Sequence, residues 1–279
     1  MVKFSVSTWI YGEEPLETSM ERLHRFGYDG VEIVGEPKKL SANQIKELLK
    51  CYNLEASSIC GIYNQERDLV SSNSEIRRNA IQYVKECSKL CREIDAPLVI
   101  VVPSAINKRG PEAHLEKEWE WAVEGIREAG EYAADLNVML AIEPINRFET
   151  YLVNKVEQAI KLAEDVDLDN VQIMADCFHM NIEESSTIDK AIFNAKEKLI
   201  HIHVCDNNRL PPGKGHIDFK SIIRILKEIN YDKYLTMEFL PSSADTYHAL
   251  KGVRDKNFYE DYTRDSISYM KRIWQETAL

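Results

Sequence analysis

Eight times along this chain a short run of β-branched and apolar residues gives way to a longer stretch with helical periodicity. The runs fall at 3–8, 30–34, 54–60, 97–102, 138–143, 171–176, 199–205 and 234–239. The helical stretches fall at 15–26, 41–52, 73–95, 112–136, 154–165, 185–197, 218–230 and 257–275. Pro15, Ser41, Asn73 or Ser74, Pro111 and Asp218 stand at or just before helix starts, where caps and first-turn prolines belong. Strand-then-helix order repeated in this way requires parallel strands joined by right-handed crossovers. Eight units over the chain average about 35 residues each, which suits a closed (β/α)8 barrel. The expectation is therefore an α/β protein, a single TIM-barrel domain over 1–279. A doubly wound open sheet is the alternative, but no Gly-x-Gly-x-x-Gly turn follows an early strand.

Chemistry in such a barrel sits at the C-terminal ends of the strands, so the residues that end each run matter most. The fifth run ends in Glu143 and the sixth in Asp176, the seventh presents His203, and the eighth presents Glu238. Successive members are 33, 27 and 35 residues apart, close to one strand–helix repeat, which places them at equivalent positions on adjacent strands. Three carboxylates around one imidazole in a buried mouth repel one another unless a cation lies between them. Three oxygen donors to one nitrogen favour a hard divalent ion, Mn²⁺ first, with Mg²⁺ or Co²⁺ also suited. Within the seventh run, Ile200, Ile202 and Val204 share one face and His201 and His203 the other. His201 lies two residues deeper and reads as a hydrogen-bonded core histidine. Glu32 reads equally as a barrel-facing support for the site and as a solvated strand end.

The loops repeat this logic. Glu149 follows Glu143 by six residues, His179 follows Asp176 by three, and Arg209 follows His203 by six. A carboxylate, an imidazole and a guanidinium over the ion would grip hydroxyls or polarise a carbonyl, with Trp9 and Phe148 as apolar walls. Arg209 is expected to belong to the loop rather than to the ion's coordination shell. Gly213-Lys214-Gly215 reads either as a turn or as a nest for a phosphate group.

The net charge of −11 opposes nucleic acid and anionic membrane as partners, since both attract basic surfaces. No apolar run reaches membrane length, and the opening residues enter a strand pattern at once, without a leader, so a cytoplasmic protein is expected. The six cysteines fall in predicted strands and helices and read as reduced, buried thiols. A homo-oligomer, dimer or tetramer, is compatible with Trp119 and Trp121 on helix 112–136 and Trp274 on the last helix. The same tryptophans equally suit helices packed on a barrel.

Several of these segments together carry a resemblance. Asn146-Arg-Phe-Glu149, Asp176-Cys-Phe-His179, the stretch from His203 to Arg209, Pro212-Gly-Lys-Gly215 and Met237-Glu238 resemble the D-tagatose 3-epimerase and D-psicose (D-allulose) 3-epimerase family, within the xylose isomerase-like TIM barrel superfamily. The resemblance runs over most of the chain. It implies metal ligands at Glu143, Asp176, His203 and Glu238, sugar contacts at Glu149, His179 and Arg209, and proton transfer by Glu143 and Glu238. The activity it implies is a divalent-metal-dependent isomerase that inverts C3 of a ketohexose or ketopentose through a cis-enediolate. Two departures bear on the choice of sugar: Phe239 stands where a proline commonly follows the last glutamate, and Trp9 and Tyr11 represent only part of an aromatic-rich opening. Sugar isomerases, inosose dehydratases and enzymes acting on 3-keto sugars use similar sites and are the alternatives, with a silent sugar-binding barrel more remote. A DNA-repair phosphodiesterase of the superfamily is disfavoured by the charge and by only seven histidines.

Overall fold

The computed structural model describes residues 2–241 and 257–278. Eight parallel strands, β1 (Lys3–Val6), β2 (Gly30–Gly35), β3 (Glu55–Gly61), β4 (Leu98–Val101), β5 (Met139–Ile142), β6 (Val171–Asp176), β7 (Leu199–Val204) and β8 (Tyr234–Met237), run in the order β1-β8-β7-β6-β5-β4-β3-β2. A bridge between Ser7, just past β1, and Glu32 on β2 brings the two ends of this sheet together, so the barrel is nearly closed. The open-sheet alternative is set aside by this circular order.

Strands buried on both faces read as continuous apolar runs rather than alternating ones, and β4, Leu-Val-Ile-Val, is buried at every position. Alternation still decides which way each side chain points. Leu98 and Ile100 of β4 meet Ala141 of β5 and Met174 of β6 inside the barrel, while Val99, Val101, Leu140 and Ile142 face outward into the larger core under the helices. The barrel interior is thus plugged below by apolar side chains, which leaves polar chemistry to the upper, C-terminal end.

The surrounding helices are α1 (Leu16–Phe26), α2 (Ala42–Tyr52), α3 (Ser74–Glu93), α4 (Leu115–Asp135), α5 (Val156–Val166), α6 (Cys177–Glu183), α7 (Ile188–Ala195), α8 (Phe219–Glu228) and α9 (Asn257–Glu276). Ser41, Asn73 and Asp218 cap α2, α3 and α8 by accepting from Gln44, Glu75 and Ser221 backbone N–H groups. Pro111 does not open α4, which starts after His114, because the preceding loop is held by buried Glu118 reaching back to the N–H groups of Glu112 and Ala113. The short helix α6 was not expected, and it begins directly on a strand-end aspartate. Trp119 of α4 donates to Asp165 of α5 at 2.8 Å, joining the two neighbouring helices. Five of the six cysteines are buried and free, and Cys51 is exposed. Among the described residues no helix is long and apolar enough to cross a membrane.

Candidate active site

β5 and β8 each end one residue before a glutamate. Glu143 and Glu238 nevertheless continue the ladders, donating their backbone N–H groups to Val101 and Val204 carbonyls at 3.0 and 3.1 Å. Both side chains are thereby held at the mouth on backbone that neighbouring strands fix. Asp176 closes β6 and also caps α6, its Oδ1 accepting from Phe178 N–H at 2.7 Å. His203 lies within β7. The ligand atoms of Glu143, Asp176 and His203 all fall within 4.8 Å of one another, and Glu238 Oε1 lies 3.3 Å from His203 Nδ1. Four residues named from strand ends therefore converge, and all four are buried.

The donor set fits a cation. His203 Nδ1 is buried and makes no hydrogen bond, although Glu143 Oε1 and Glu238 Oε1 face it at 3.8 and 3.3 Å. A nitrogen in such a place requires either a proton with an aligned acceptor or a metal. Burial pushes the Glu143 carboxyl well above the usual carboxylate range, with the charges of Glu238 and Asp176 adding to the rise against His203. Burial acts in the same direction on Glu238, but His203 and Arg209 outweigh it and hold that carboxyl well below its ordinary value. For His203 burial opposes the charged ring, yet Glu238 and Glu32 hold its pKa well above the ordinary histidine value. Carboxyl groups and an imidazole thus crowd charge into one buried cluster, which a divalent ion would relieve.

Arg209 reaches from its loop down to this cluster. Its backbone is left-handed, with φ of 61°, and its carbonyl accepts from Leu240 N–H at 2.7 Å, which turns the side chain inward. Arg209 Nη1 donates to Asp176 Oδ2 and to Glu238 Oε2, both at 2.8 Å, and Nη2 lies 3.2 Å from His179 Nε2. The Phe178 ring backs the guanidinium at 4.3 Å. Trp9 likewise is more than a wall. It lies in a short 3₁₀ turn, Thr8–Tyr11, and its indole Nε1 donates to Glu238 Oε1 at 2.6 Å.

The loop after β5 divides its residues between inside and outside. Asn146 is buried, and its Nδ2 reaches Glu149 Oε1 at 2.8 Å and His179 Nδ1 at 2.7 Å, joining two residues that were named separately. Asn146 was missed as a site residue, although it opens the Asn-Arg-Phe-Glu run. Phe148 N–H donates to Asn146 Oδ1, and this tight turn sends Phe148 outward. Its side chain is 65% exposed and lies away from the cavity, so it forms no wall there. Of the two readings of Gly213-Lys214-Gly215, the turn is favoured over the phosphate nest, because Gly213 and Ile217 N–H groups donate to the Asp206 carboxylate at 2.9 and 3.1 Å.

Beneath the cluster, Glu32 is fully buried rather than solvated. Its Oε2 accepts from Ser58 Oγ at 2.6 Å and lies 3.1 Å from both His201 Nε2 and His203 Nε2. His201 also meets Thr236 Oγ1 at 2.9 Å, so it is the hydrogen-bonded core histidine expected. Above the cluster opens a cavity of about 990 Å³ onto which Trp9, Glu143, His179, Arg209 and Glu238 face. Cys60, Ile62, Tyr63 and Tyr259 are among the other residues that line it. No local pattern marks these four, because an apolar or aromatic side chain looks the same in sequence whether it covers a ligand or the core.

The profile described as xylose isomerase-like TIM barrel matches residues 20–273. The chain is 32% identical over 231 residues to a D-psicose 3-epimerase from Ruminiclostridium cellulolyticum, a match that covers 78% of this chain and 76% of that protein. It is 26% identical over 245 residues to a 3-dehydro-D-guloside 4-epimerase from Escherichia coli, covering 85% and 92%. Among solved structures, that of D-psicose 3-epimerase with D-tagatose from Clostridium cellulolyticum H10 superposes with a TM-score of 0.86 at 26% identity, over 98% of this chain and 99% of the other.

Proposed function

The chain belongs to the xylose isomerase-like TIM barrel family, and on that premise we propose that it is a sugar epimerase, an isomerase that inverts C3 of a ketohexose or ketopentose with the help of one divalent ion. The observation that carries this reading is that Glu143 and Glu238 both approach the unpartnered His203 Nδ1, at 3.8 and 3.3 Å, and both face one cavity. Inversion at carbon requires a proton to leave one face and arrive on the other, and two independent carboxyl groups facing one cavity supply both positions. Support comes also from the epimerases among the similar proteins.

Glu143, Asp176, His203 and Glu238 would hold the ion, Mn²⁺ first with Mg²⁺ or Co²⁺ as alternatives; when bound, it supplies positive charge among the carboxylates and draws electron density from an adjacent sugar oxygen. One of Glu143 and Glu238 takes the proton from C3 of the ketose, leaving a cis-enediolate, and the other returns a proton to the opposite face. Trp9 holds Glu238 in position through its indole N–H. Arg209, His179 and Glu149, the last two tied through Asn146 and the first meeting His179, grip the end of the sugar. We take residues 1–279 as one catalytic domain acting on a small sugar in the cytoplasm.

The same groups would serve a 3-keto sugar, and the match to the guloside 4-epimerase over 92% of that protein favours this as the second reading. Product analysis separates the two. A panel of free and phosphorylated ketoses and 3-keto glycosides, incubated with Mn²⁺ and followed by NMR, should yield the C3 epimer of a free ketose. An aldose, a dehydrated product, or turnover of the 3-keto glycosides alone would replace the first reading.

A further inference from the structure

Glu32 belongs to no group discussed so far as acting on the sugar, yet it is the most heavily engaged carboxylate under the site. It lies on β2, separated from β7 around the barrel by β1 and β8, and its side chain is fully buried. Three groups crowd one oxygen, Oε2: Ser58 Oγ donates to it at 2.6 Å, His203 Nε2 is hydrogen-bonded to it at 3.1 Å, and His201 Nε2 lies at 3.1 Å. The other oxygen, Oε1, is buried and has no hydrogen-bond partner. An ionised carboxylate sealed in a barrel is costly unless charge-assisted hydrogen bonds offset its desolvation. Here they are supplied in a form that uses Nε2 of His203 and leaves Nδ1 of the same ring turned toward Glu143 and Glu238.

We propose that Glu32 is a positioning residue for the ion: by accepting the Nε2–H of His203 it fixes the ring's rotation and keeps the Nδ1 lone pair aimed into the Glu143, Asp176 and Glu238 cluster. A ligating histidine gains basicity and orientation when its second nitrogen donates to a carboxylate. His201 shares that oxygen and is itself anchored through Thr236, whose hydroxyl meets Ser5 Oγ at 2.6 Å. The histidine pair and Glu32 thus form a chain from β2 through β7 to β8 and β1, and this chain stiffens the floor on which the ligands stand. An alternative is that the three groups hold a second ion of their own, since Glu32, His201 and His203 also lie close enough together. The Ser58 hydroxyl argues against it, because it already donates to the oxygen that such an ion would need.

The role rests on the metal-dependent reading above, and two measurements keep their fates apart. The first is Mn²⁺ affinity by calorimetry for the wild type, Glu32→Gln and Glu32→Ala. Gln preserves the shape and one acceptor oxygen but removes the charge. The expected result is a Kd weakened roughly 10- to 100-fold in Glu32→Gln, with KM for sugar unchanged at saturating Mn²⁺ and a melting temperature without metal close to that of the wild type. A Kd within twofold of the wild type overturns the role of Glu32, and binding of two ions by the wild type would do the same in favour of the second-ion alternative. A wild type that binds no Mn²⁺ sinks the metal-dependent reading and this role with it. The second measurement needs no metal: the His203 ring Nε2–H, assigned by its loss in His203→Gln, should give a downfield proton resonance that is displaced in Glu32→Gln. If that resonance is absent in the wild type or unmoved in the variant, the hydrogen bond does not do what is claimed for it.

Discussion

The indole Nε1 of Trp9 donates to Glu238 Oε1 at 2.6 Å across 229 residues of sequence, the first strand's turn reaching the last strand's carboxylate. Glu238 is thereby held from two sides, since Arg209 takes its other oxygen at 2.8 Å. The two contacts engage both oxygens of a carboxylate that faces the cavity.

Trp9→Phe keeps the apolar surface and removes only the donor. A hydrogen bond to a charged group is worth about 1.5–3 kcal/mol, so kcat/KM should fall roughly 10- to 150-fold. Mn²⁺ content, measured by elemental analysis, should stay at the wild-type level. Unchanged kinetics would mean that the contact does not orient Glu238.

The convergence of Glu143, Asp176, His203 and Glu238 was legible in the sequence because each sits at the end of a repeated unit, and barrel symmetry converts equal spacing into a common place. The strand pairings follow from the same repetition. What was not legible depends on side chains that cross between units. The Trp9–Glu238 bond, the inward turn of Arg209 on a left-handed backbone and the role of Asn146 leave no periodic trace. Helix α6 was hidden because seven residues are too few for an apolar stripe to show. Phe148 was misplaced for a related reason: a turn of four residues decides which of them faces in, and residue type alone does not.

Replacing Glu143 or Glu238 by Gln preserves size and one oxygen but removes the group that carries the proton. Loss of general acid–base catalysis costs roughly 10²- to 10⁴-fold, and kcat in each variant should fall by at least that much. Each variant must be assayed at saturating Mn²⁺ with its ion content measured, so that a lost ligand is not mistaken for a lost base.

Arg209→Ala removes a guanidinium that lies 2.8 Å from two of the proposed ligands. A positive charge so placed repels an incoming cation, so Mn²⁺ binding should not weaken in the variant. Sugar binding should, with KM raised about tenfold or more through loss of charge-assisted hydrogen bonds. Calorimetry with Mn²⁺ and with sugar separately reads the two effects, and loss of the ion in the variant would show that Arg209 supports the cluster rather than the substrate.

Binding to the folded state alone stabilises it by about 2.7 kcal/mol at a hundredfold excess of ligand over Kd. Mn²⁺ added to chelator-treated protein should therefore raise the melting temperature by about 5 °C or more. The increase should vanish in His203→Gln, which removes the unpartnered Nδ1 donor. A shift of the same size in that variant would place the ion elsewhere.

The most direct test of two-carboxylate proton transfer is the fate of hydrogen at C3 when the ketose turns over in D₂O. A carboxyl group facing an open cavity exchanges its proton with solvent between steps, so the wild type should place deuterium at C3 of the epimeric product, detected by NMR as loss of the C3 proton signal. Product formed over many turnovers with its C3 hydrogen fully retained would contradict the proposed exchange between Glu143 and Glu238.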